Sequence, residues 1–136
     1  RVVRKGGRIG LANWTPEGFI GQLFKVIGAY LPPPAGLKSP ALWGTEEHIM
    51  ELFGTQATTI RAVRKHFNFR YRSAAHWIRV FRDYYGPTHK AFAALDTGAQ
   101  DALATDITAL LDRCNTGGAS SLVVPAEYLE VVIERR

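Results

Sequence analysis

Four histidines are the residues of this sequence best suited to acid–base or metal chemistry: His48, His66, His76 and His89. Their spacing matches no pattern of metal ligands, so we predict no metal site. His76 precedes Trp77 on a predicted helix and is the candidate for a general base, because an imidazole exchanges protons near neutral pH. The residue order supports no Ser-His-Asp or Cys-His arrangement, and the single Cys114 excludes an internal disulfide. We therefore assign no catalytic residue from the sequence.

A basic stretch over residues 61–82 has the composition of a surface for an anionic partner. Lysine and arginine outnumber aspartate and glutamate by 17 to 12 in the chain. The surplus is concentrated in a run without acidic residues that contains Arg61, Arg64, Lys65, Arg70, Arg72, Arg79 and Arg82. Interleaved aromatic residues are typical of surfaces that bind nucleic acid or anionic ligands. A solvated strand face followed by a solvated helix face has the same composition. We take the solvated surface as the first interpretation, with nucleic acid not among the expected partners.

Asn13 and Trp14 end a short apolar run over residues 8–13 that we predict to be a strand. A polar side chain at the end of a buried strand needs a hydrogen-bond partner. Asn13 is therefore a candidate binding residue. Before this strand, Val2 and Val3 are expected to close a helix that a pair of glycines stops.

Hydrophobic periodicity and turn residues divide the rest of the chain. The predicted elements are a helix over 16–30, an extended connection over 31–40, a short helix between Thr45 and Gly54, a strand over 57–71, a helix from Ser73 to Gly86, a helix over 96–114 and a strand over 120–136. Thr15, Thr45 and Ser73 are the expected helix caps. Pro125 should interrupt the last strand, with regular pairing from Glu127.

The segment over residues 1–9, RVVRKGGRI, resembles the entry to the fifth strand of class I S-adenosylmethionine-dependent methyltransferases. The segment from Thr45 to Gly54 is similar to the last crossover helix of that family, and EYLEVVIERR to its terminal strand. Lys5 stands where proline is commonest in the family, and residues 73–118 form a helical insertion where many members have a short hairpin. The resemblance covers nearly the whole chain but only the C-terminal half of the family's fold.

The resemblance implies an α/β fold, namely a partial Rossmann-like methyltransferase sheet of about three strands, the last one antiparallel, with several helices. Residues 1–136 would be the C-terminal, substrate-side part of a methyltransferase domain. The family's glycine-rich turn and its acidic residue for the ribose have no counterpart here. The N-terminal cofactor-binding half is therefore expected to be missing. S-adenosylmethionine would be the cofactor of the full-length protein, and we expect neither cofactor binding nor activity from this chain alone.

In this family the acceptor lies beyond the C-terminal ends of the strands, under a helical lid. The resemblance thus implies the substrate-binding residues Asn13, Trp14, Phe19, Phe24, Trp77 and Tyr85. Such side chains suit a small apolar or aromatic acceptor. An aromatic stripe at helical spacing is equally typical of core packing, and that alternative stays open.

Two other functions remain open from the sequence. One is a non-enzymatic module that binds nucleic acid or an acidic partner through residues 61–82, and the other is a carrier of apolar ligands built from the aromatic helices.

The apolar runs are shorter than the roughly 20 residues that span a bilayer, so we expect no membrane partner. A single cysteine fits a reducing cytoplasm. The apolar strand over 8–13 would lack its neighbour, which favours self-association through that edge.

Overall fold

The computed structural model describes residues 2–136, so Arg1, the first residue of the segment that carries the resemblance, lies outside the described residues. Within them the chain is an α/β protein with one three-stranded antiparallel sheet and five α-helices. In chain order the elements are β1 (Arg8–Trp14), α1 (Phe19–Tyr30), α2 (Glu46–Phe53), β2 (Ala57–Tyr71), α3 (Ala74–Tyr84), α4 (Gly86–Ala94), α5 (Thr97–Cys114) and β3 (Leu122–Arg135). Short 3-10 turns at Pro40–Gly44 and Gly54–Gln56 flank α2.

The last strand of the chain lies in the middle of the sheet, whose order is β1-β3-β2. β1 and β3 pair antiparallel, from Arg8 opposite Glu134 to Trp14 opposite Tyr128. At the other side of β3, the Arg136 N–H donates to the carbonyl of the residue that precedes β2, at 2.9 Å. Because β3 ends where β2 begins, this second pair is also antiparallel. The predicted antiparallel direction of the final strand is confirmed.

One face of β3 forms the core of the sheet. Leu129, Val131 and Ile133 are buried and cluster with Ile49 of α2 and Ala57 of β2. Successive side chains of a strand point to opposite faces, which explains why every second residue is buried. Each such side chain contributes about 1.5–3 kcal/mol to the free energy of unfolding.

Pro125 lies inside β3 without ending it. The buried positions are even-numbered up to Ala126 and odd-numbered from Leu129 onward, so the alternation shifts by one residue between them. A shift of this kind marks an extra residue in the strand, as in a β-bulge. The pairing with β1 is regular from Tyr128 to Glu134. The regular segment is as predicted, whereas the irregularity lies at Glu127 and Tyr128 and not at Pro125 itself.

Two helices begin at the caps that the sequence predicts. The Thr45 hydroxyl accepts the His48 N–H at 3.4 Å at the start of α2, and Ser73 accepts the His76 N–H at 3.1 Å at the start of α3. These hydroxyls satisfy backbone donors that have no partner inside the helix. The predicted bounds of β2, residues 57–71, are also confirmed.

The predicted helix end at Val2 and Val3 is wrong. Residues 2–7 form a turn in which the Gly7 N–H donates to the Arg4 carbonyl at 2.9 Å. Gly6 has a φ of 69°, a left-handed conformation that glycine adopts without a steric penalty. This conformation directs the Gly6 N–H to the carbonyl of Arg135 at 2.9 Å, so the turn is attached to the end of β3.

Two helix boundaries also differ from the prediction. α1 begins at Phe19 and not at residue 16, although the Thr15 hydroxyl accepts the Gly18 N–H with the spacing of a helix cap. Gly86 and Pro87 end α3 as predicted, but they also begin α4. Proline is favoured in the first turn of a helix, where its missing N–H would have no partner.

The chain divides into two compact units, which we describe separately. The first comprises the residues up to Gly21 with Lys38–Phe67 and Ala126–Arg136, and the second comprises Gln22–Leu37 with Asn68–Pro125. The range 73–118, predicted as a helical insertion, contains α3, α4 and α5. Among residues 2–136, no helix has both the length and the apolar character needed to cross a membrane.

The second unit has its own apolar core, in which α3 packs against α4 and α5. Trp77 is fully buried and stacks on Phe81 with 3.6 Å between ring centroids. α5 contributes the buried residues Leu103, Ile107, Leu110 and Leu111. The Tyr30 hydroxyl of α1 donates to the Asp106 carboxylate of α5 at 2.6 Å, and this bond raises the pKa of Tyr30.

The open side of β1 has unpaired backbone groups within the described sheet. The Arg135 N–H donates to the Gly7 carbonyl and the Thr15 N–H donates to the Glu127 carbonyl, so the odd-numbered residues of β1 face β3. The N–H of Gly10 therefore faces outward. We propose that the 136-residue chain self-associates through this edge.

Replacement of Gly10 by proline should turn the associated chain into monomers. It removes an outward N–H and leaves the hydrogen bonds to β3 in place. Gly10→Val is the matched control, because it keeps the N–H and its Cβ would meet no atom within 4 Å. Light scattering at equal protein concentrations gives the molecular masses of the parent chain and of both variants. A monomeric parent chain, or a Gly10→Pro variant as large as the parent, would contradict the proposal.

Candidate functional site

An aromatic pocket lies at the end of β1, in the first unit. It has a volume of about 330 Å³ and is lined by Ala12, Trp14, Phe67, Tyr128 and Glu130. The register of the sheet explains this grouping, because Ala12 lies opposite Glu130 and Trp14 opposite Tyr128. All these side chains project from one face of the sheet, the face opposite to the core.

The rings of Trp14 and Tyr128 form the wall of the pocket. Their centroids are 6.1 Å apart and their planes are inclined at 85°, an edge-to-face arrangement. This geometry is favourable because the positive edge of one ring meets the negative face of the other. Phe67 is 52% exposed and supplies a further apolar surface. Such a pocket suits a small planar apolar group, and its volume lies at the lower end of ligand sites.

The carboxylates near the pocket are paired with cations. Glu130 accepts from Lys65 at 2.8 Å, and Glu127 accepts from Arg64 at 2.9 Å. The charges of the two acids are therefore largely compensated. The pocket is consequently an aromatic site whose one lining carboxylate, Glu130, is paired with Lys65.

Thr15 connects the end of β1 to β3. Its side chain is fully buried, and its hydroxyl donates to the Glu127 carboxylate at 2.9 Å and accepts the Gly18 N–H at 3.2 Å. The Thr15 N–H also donates to the Glu127 carbonyl at 3.2 Å. These bonds fix the backbone on which Trp14 is mounted.

Gly44 packs closely against the backbone of Trp14 and Thr15. A Cβ at Gly44 would lie 2.1 Å from the Trp14 carbonyl oxygen, which no side chain tolerates. Only glycine therefore allows the turn at Pro40–Gly44 to approach the end of β1. The close backbone contact restricts the main-chain position of Trp14.

Asn13 presents a donor that has no partner among residues 2–136. Its side-chain Nδ2 is buried, and no acceptor lies within hydrogen-bond distance of it. Asn13 is paired with Leu129, so its side chain lies on the face opposite to that of Trp14. A buried amide donor without an acceptor costs about 1–3 kcal/mol, which makes Asn13 a position for a further binding partner.

The other predicted site residues lie in apolar surroundings. Phe19 is buried. In the second unit, Phe24 is half-buried, Trp77 is covered by Phe81, and the ring of Tyr85 lies 4.9 Å from that of Phe81. Burial raises the pKa of Tyr85. An acceptor-binding role for these four residues stays a prediction.

Four residues of the pocket were missed by sequence reasoning: Ala12, Phe67, Tyr128 and Glu130. Phe67 and Tyr128 belong to strands that the sequence did predict. Their position beside Trp14 depends on the pairing of distant strands, which no local pattern contains. Among the described residues, no group of three His, Cys, Asp or Glu side chains is arranged to hold a metal ion.

The chain is similar to proteins of mycobacteria, and no protein-family model matches it. It is 33% identical over 138 residues to uncharacterized protein Rv1405c of Mycobacterium tuberculosis (strain ATCC 25618 / H37Rv), covering 100% of this chain and 50% of that protein. Uncharacterized protein Mb1440c of Mycobacterium bovis (strain ATCC BAA-935 / AF2122/97) is also 33% identical, with the same coverage. Uncharacterized protein Rv1403c of M. tuberculosis H37Rv is 36% identical over 97 residues, 70% of this chain and 35% of that protein. The chain thus spans about half the length, or less, of these relatives.

Replacement of Thr15 by valine should lower the free energy of unfolding by about 1–3 kcal/mol, since it leaves the Gly18 N–H without its acceptor and removes a donor to Glu127. Thr58→Val is the control, because Thr58 is an exposed residue of β2. We expect that substitution to change stability by less than about 0.5 kcal/mol. Urea denaturation measures both values. Equal effects of the two substitutions would show that the Thr15 hydroxyl has no connecting role.

Proposed function

We propose that this chain forms the acceptor side of an S-adenosylmethionine-dependent methyltransferase that acts on a small apolar or aromatic molecule. The observation that carries the proposal is the aromatic pocket at the end of β1. Trp14 lines this pocket opposite Tyr128. The resemblance places the acceptor of such enzymes at this end of the strand.

The path of the chain supports the same proposal. A turn at Gly6 and Gly7 leads into β1, α2 lies on the crossover from β1 to β2, and the last strand returns antiparallel. These are the elements that the resemblance implies for the C-terminal half of the family's fold. The length of the relatives, about twice that of this chain, leaves room for a second half.

The turn between β1 and α1 is crowded on the side of the Gly18 Cβ position, because a Cβ there would lie 2.9 Å from the Glu127 carbonyl oxygen and 2.8 Å from the Thr15 hydroxyl. The glycine-rich turn and the acidic residue that hold the donor in the resembled family have no counterpart in the sequence. We therefore place the donor site in the part of the longer relatives that does not align with this chain.

The proposed role of this chain is to hold and orient the acceptor. The rings of Trp14, Phe67 and Tyr128 would cover its faces and exclude water, which allows a near-attack geometry to persist. Arg64 and Lys65 pair with the carboxylates of Glu127 and Glu130, so the charge of the lining residue Glu130 has a cationic partner. A neutral nucleophile is compatible with such a pocket. We assign no general base.

Titration calorimetry with S-adenosylmethionine tests whether the methyl-donor site lies outside this chain, as we propose, while the acceptor site lies within it. Full-length Rv1405c should bind the cofactor, whereas this 136-residue chain should not. The truncated form of Rv1405c that aligns with this chain is the matched control and should also fail to bind. Binding by the short chain would contradict this placement of the methyl-donor site. Absence of binding by full-length Rv1405c would contradict the methyltransferase proposal.

A probe of the acceptor pocket is 2-naphthol, which matches the size and shape of the site. Trp14→Leu should weaken its binding by about tenfold, because it removes the ring that faces Tyr128. Trp43→Leu is the control, since Trp43 is 39% exposed and lies outside the lining of the pocket. Titrations followed by NMR give both affinities. An equal loss of affinity for 2-naphthol in the two variants would contradict the assignment of the pocket.

The alternative function, a carrier of apolar ligands, makes a different prediction. Such a carrier would bind 2-naphthol equally well, but its longer relatives would not bind the methyl donor.

A further inference from the structure

The second unit contains an open groove of about 670 Å³ with a strongly basic lining. Arg70 and Tyr71 come from the end of β2, Arg72 follows them, and His76 lies in the first turn of α3. The opposite side consists of residues 120–123, with two serines followed by Leu122 and Val123. No aspartate or glutamate is among the residues that line the groove.

The cationic side chains of the basic stretch over 61–82 differ in their partners. In the first unit, Arg64 and Lys65 form ion pairs with Glu127 and Glu130 at 2.9 and 2.8 Å. In the second unit, Arg82 donates to Gln100 at 2.9 Å and its guanidinium lies 4.9 Å from the centre of the Phe92 ring.

Five arginines of the stretch keep uncompensated charge, and two of them line the groove. Across residues 2–136, no carboxylate lies within 4.0 Å of the guanidinium groups of Arg70, Arg72 and Arg79. Arg70 and Arg72 belong to the groove, and the charge of Arg79 acts on His76. Arg61 of the first unit and Arg82 likewise have no carboxylate within 4.0 Å among the described residues, so the groove holds two of the five uncompensated arginines.

His76 adds a hydrogen-bond donor to the groove. The Arg72 backbone N–H donates to its Nδ1 at 3.4 Å, which assigns the proton of the neutral ring to Nε2. The Tyr71 ring packs edge-on against the imidazole, with 5.4 Å between centroids, and restricts its orientation. Burial lowers the pKa of His76, and the charges of Arg72 and Arg79 lower it further. Because Nδ1 accepts the Arg72 N–H, the ring offers its Nε2–H next to two arginines.

We propose that this groove binds the phosphate group of a small phosphomonoester. Arginine guanidinium groups bind phosphate oxygens in a bidentate manner, and the His76 imidazole N–H and the Ser120 hydroxyl supply further donors, whereas the Ser121 hydroxyl donates to the Gly117 carbonyl at 3.0 Å. Tyr71 and Val123 give the groove an apolar part for the remainder of the molecule. The groove lies in one unit and is argued from its own geometry, so the inference does not depend on the methyltransferase proposal.

An NMR titration of the full chain with phenyl phosphate tests the site through the His76 ring. We expect the His76 resonances to move with saturation, and the pKa of His76 to rise on binding because the phosphate offsets the charges of Arg72 and Arg79. Inorganic phosphate should bind to the same residues more weakly, and phenol should not move them. Unchanged His76 resonances at millimolar phenyl phosphate would overturn the proposal.

A double variant distinguishes specific binding of phenyl phosphate in the groove from nonspecific attraction by the positive charge of the chain. Arg70→Gln with Arg72→Gln should weaken the binding of phenyl phosphate by about tenfold or more. Lys25→Gln with Lys90→Gln is the control, because it removes the same charge from exposed positions of α1 and α4. The control should bind like the parent chain. Equal weakening in both double variants would mean a diffuse electrostatic effect and would overturn the site.

A single-stranded oligothymidylate distinguishes the source of the phosphate. If the groove recognises a small phosphomonoester, the oligonucleotide should bind no tighter than phenyl phosphate, and its affinity should depend weakly on salt. Tight binding of the oligonucleotide with a steep salt dependence would indicate contacts to many phosphates along a strand. That result would overturn the small-molecule proposal in favour of nucleic-acid binding.

Discussion

The antiparallel pairing of β3 with both of its neighbours is the interaction on which the rest of the structure depends. β3 is the last strand of the chain, yet it lies between β1 and β2, so the sheet cannot form until the whole sequence is present. One face of its second half, Leu129, Val131 and Ile133, is the apolar core against which α2 packs. The alternate residues of the same strand, Tyr128 and Glu130, are lining residues of the pocket. Stability and the candidate site therefore depend on the two faces of one strand.

The end of β1 is held by polar contacts that make the position of Trp14 well defined. Thr15 is bonded through its hydroxyl and its N–H to Glu127, and Gly44 packs directly on the Trp14 carbonyl. Buried hydrogen bonds of this kind contribute modestly when formed and cost more when one partner is removed. A site on such a backbone orients a ligand without loss of backbone entropy on binding. Asn13, whose amide donor has no acceptor among the described residues, adjoins the same fixed segment.

Local sequence patterns predicted much of the fold and less of the site. The caps at Thr45 and Ser73 and the bounds of β2 follow from short-range rules of hydrogen bonding and backbone geometry. The same rules failed at Val2 and Val3, because a turn there is attached to the distant Arg135 and does not close a helix. Trp14 was predicted as a site residue from a resemblance, whereas Tyr128 and Phe67 were missed. Their proximity to Trp14 results from strand register, which is decided by packing between residues far apart in the chain.

A crystal structure of full-length Rv1405c with S-adenosylhomocysteine tests the central claim most directly. We expect the nucleoside to lie in the part of the protein that does not align with this chain. We also expect the sulfur to face the pocket formed by the positions that align with Trp14 and Tyr128. A nucleoside held by the aligned half, or a sulfur remote from that pocket, would contradict the methyltransferase proposal.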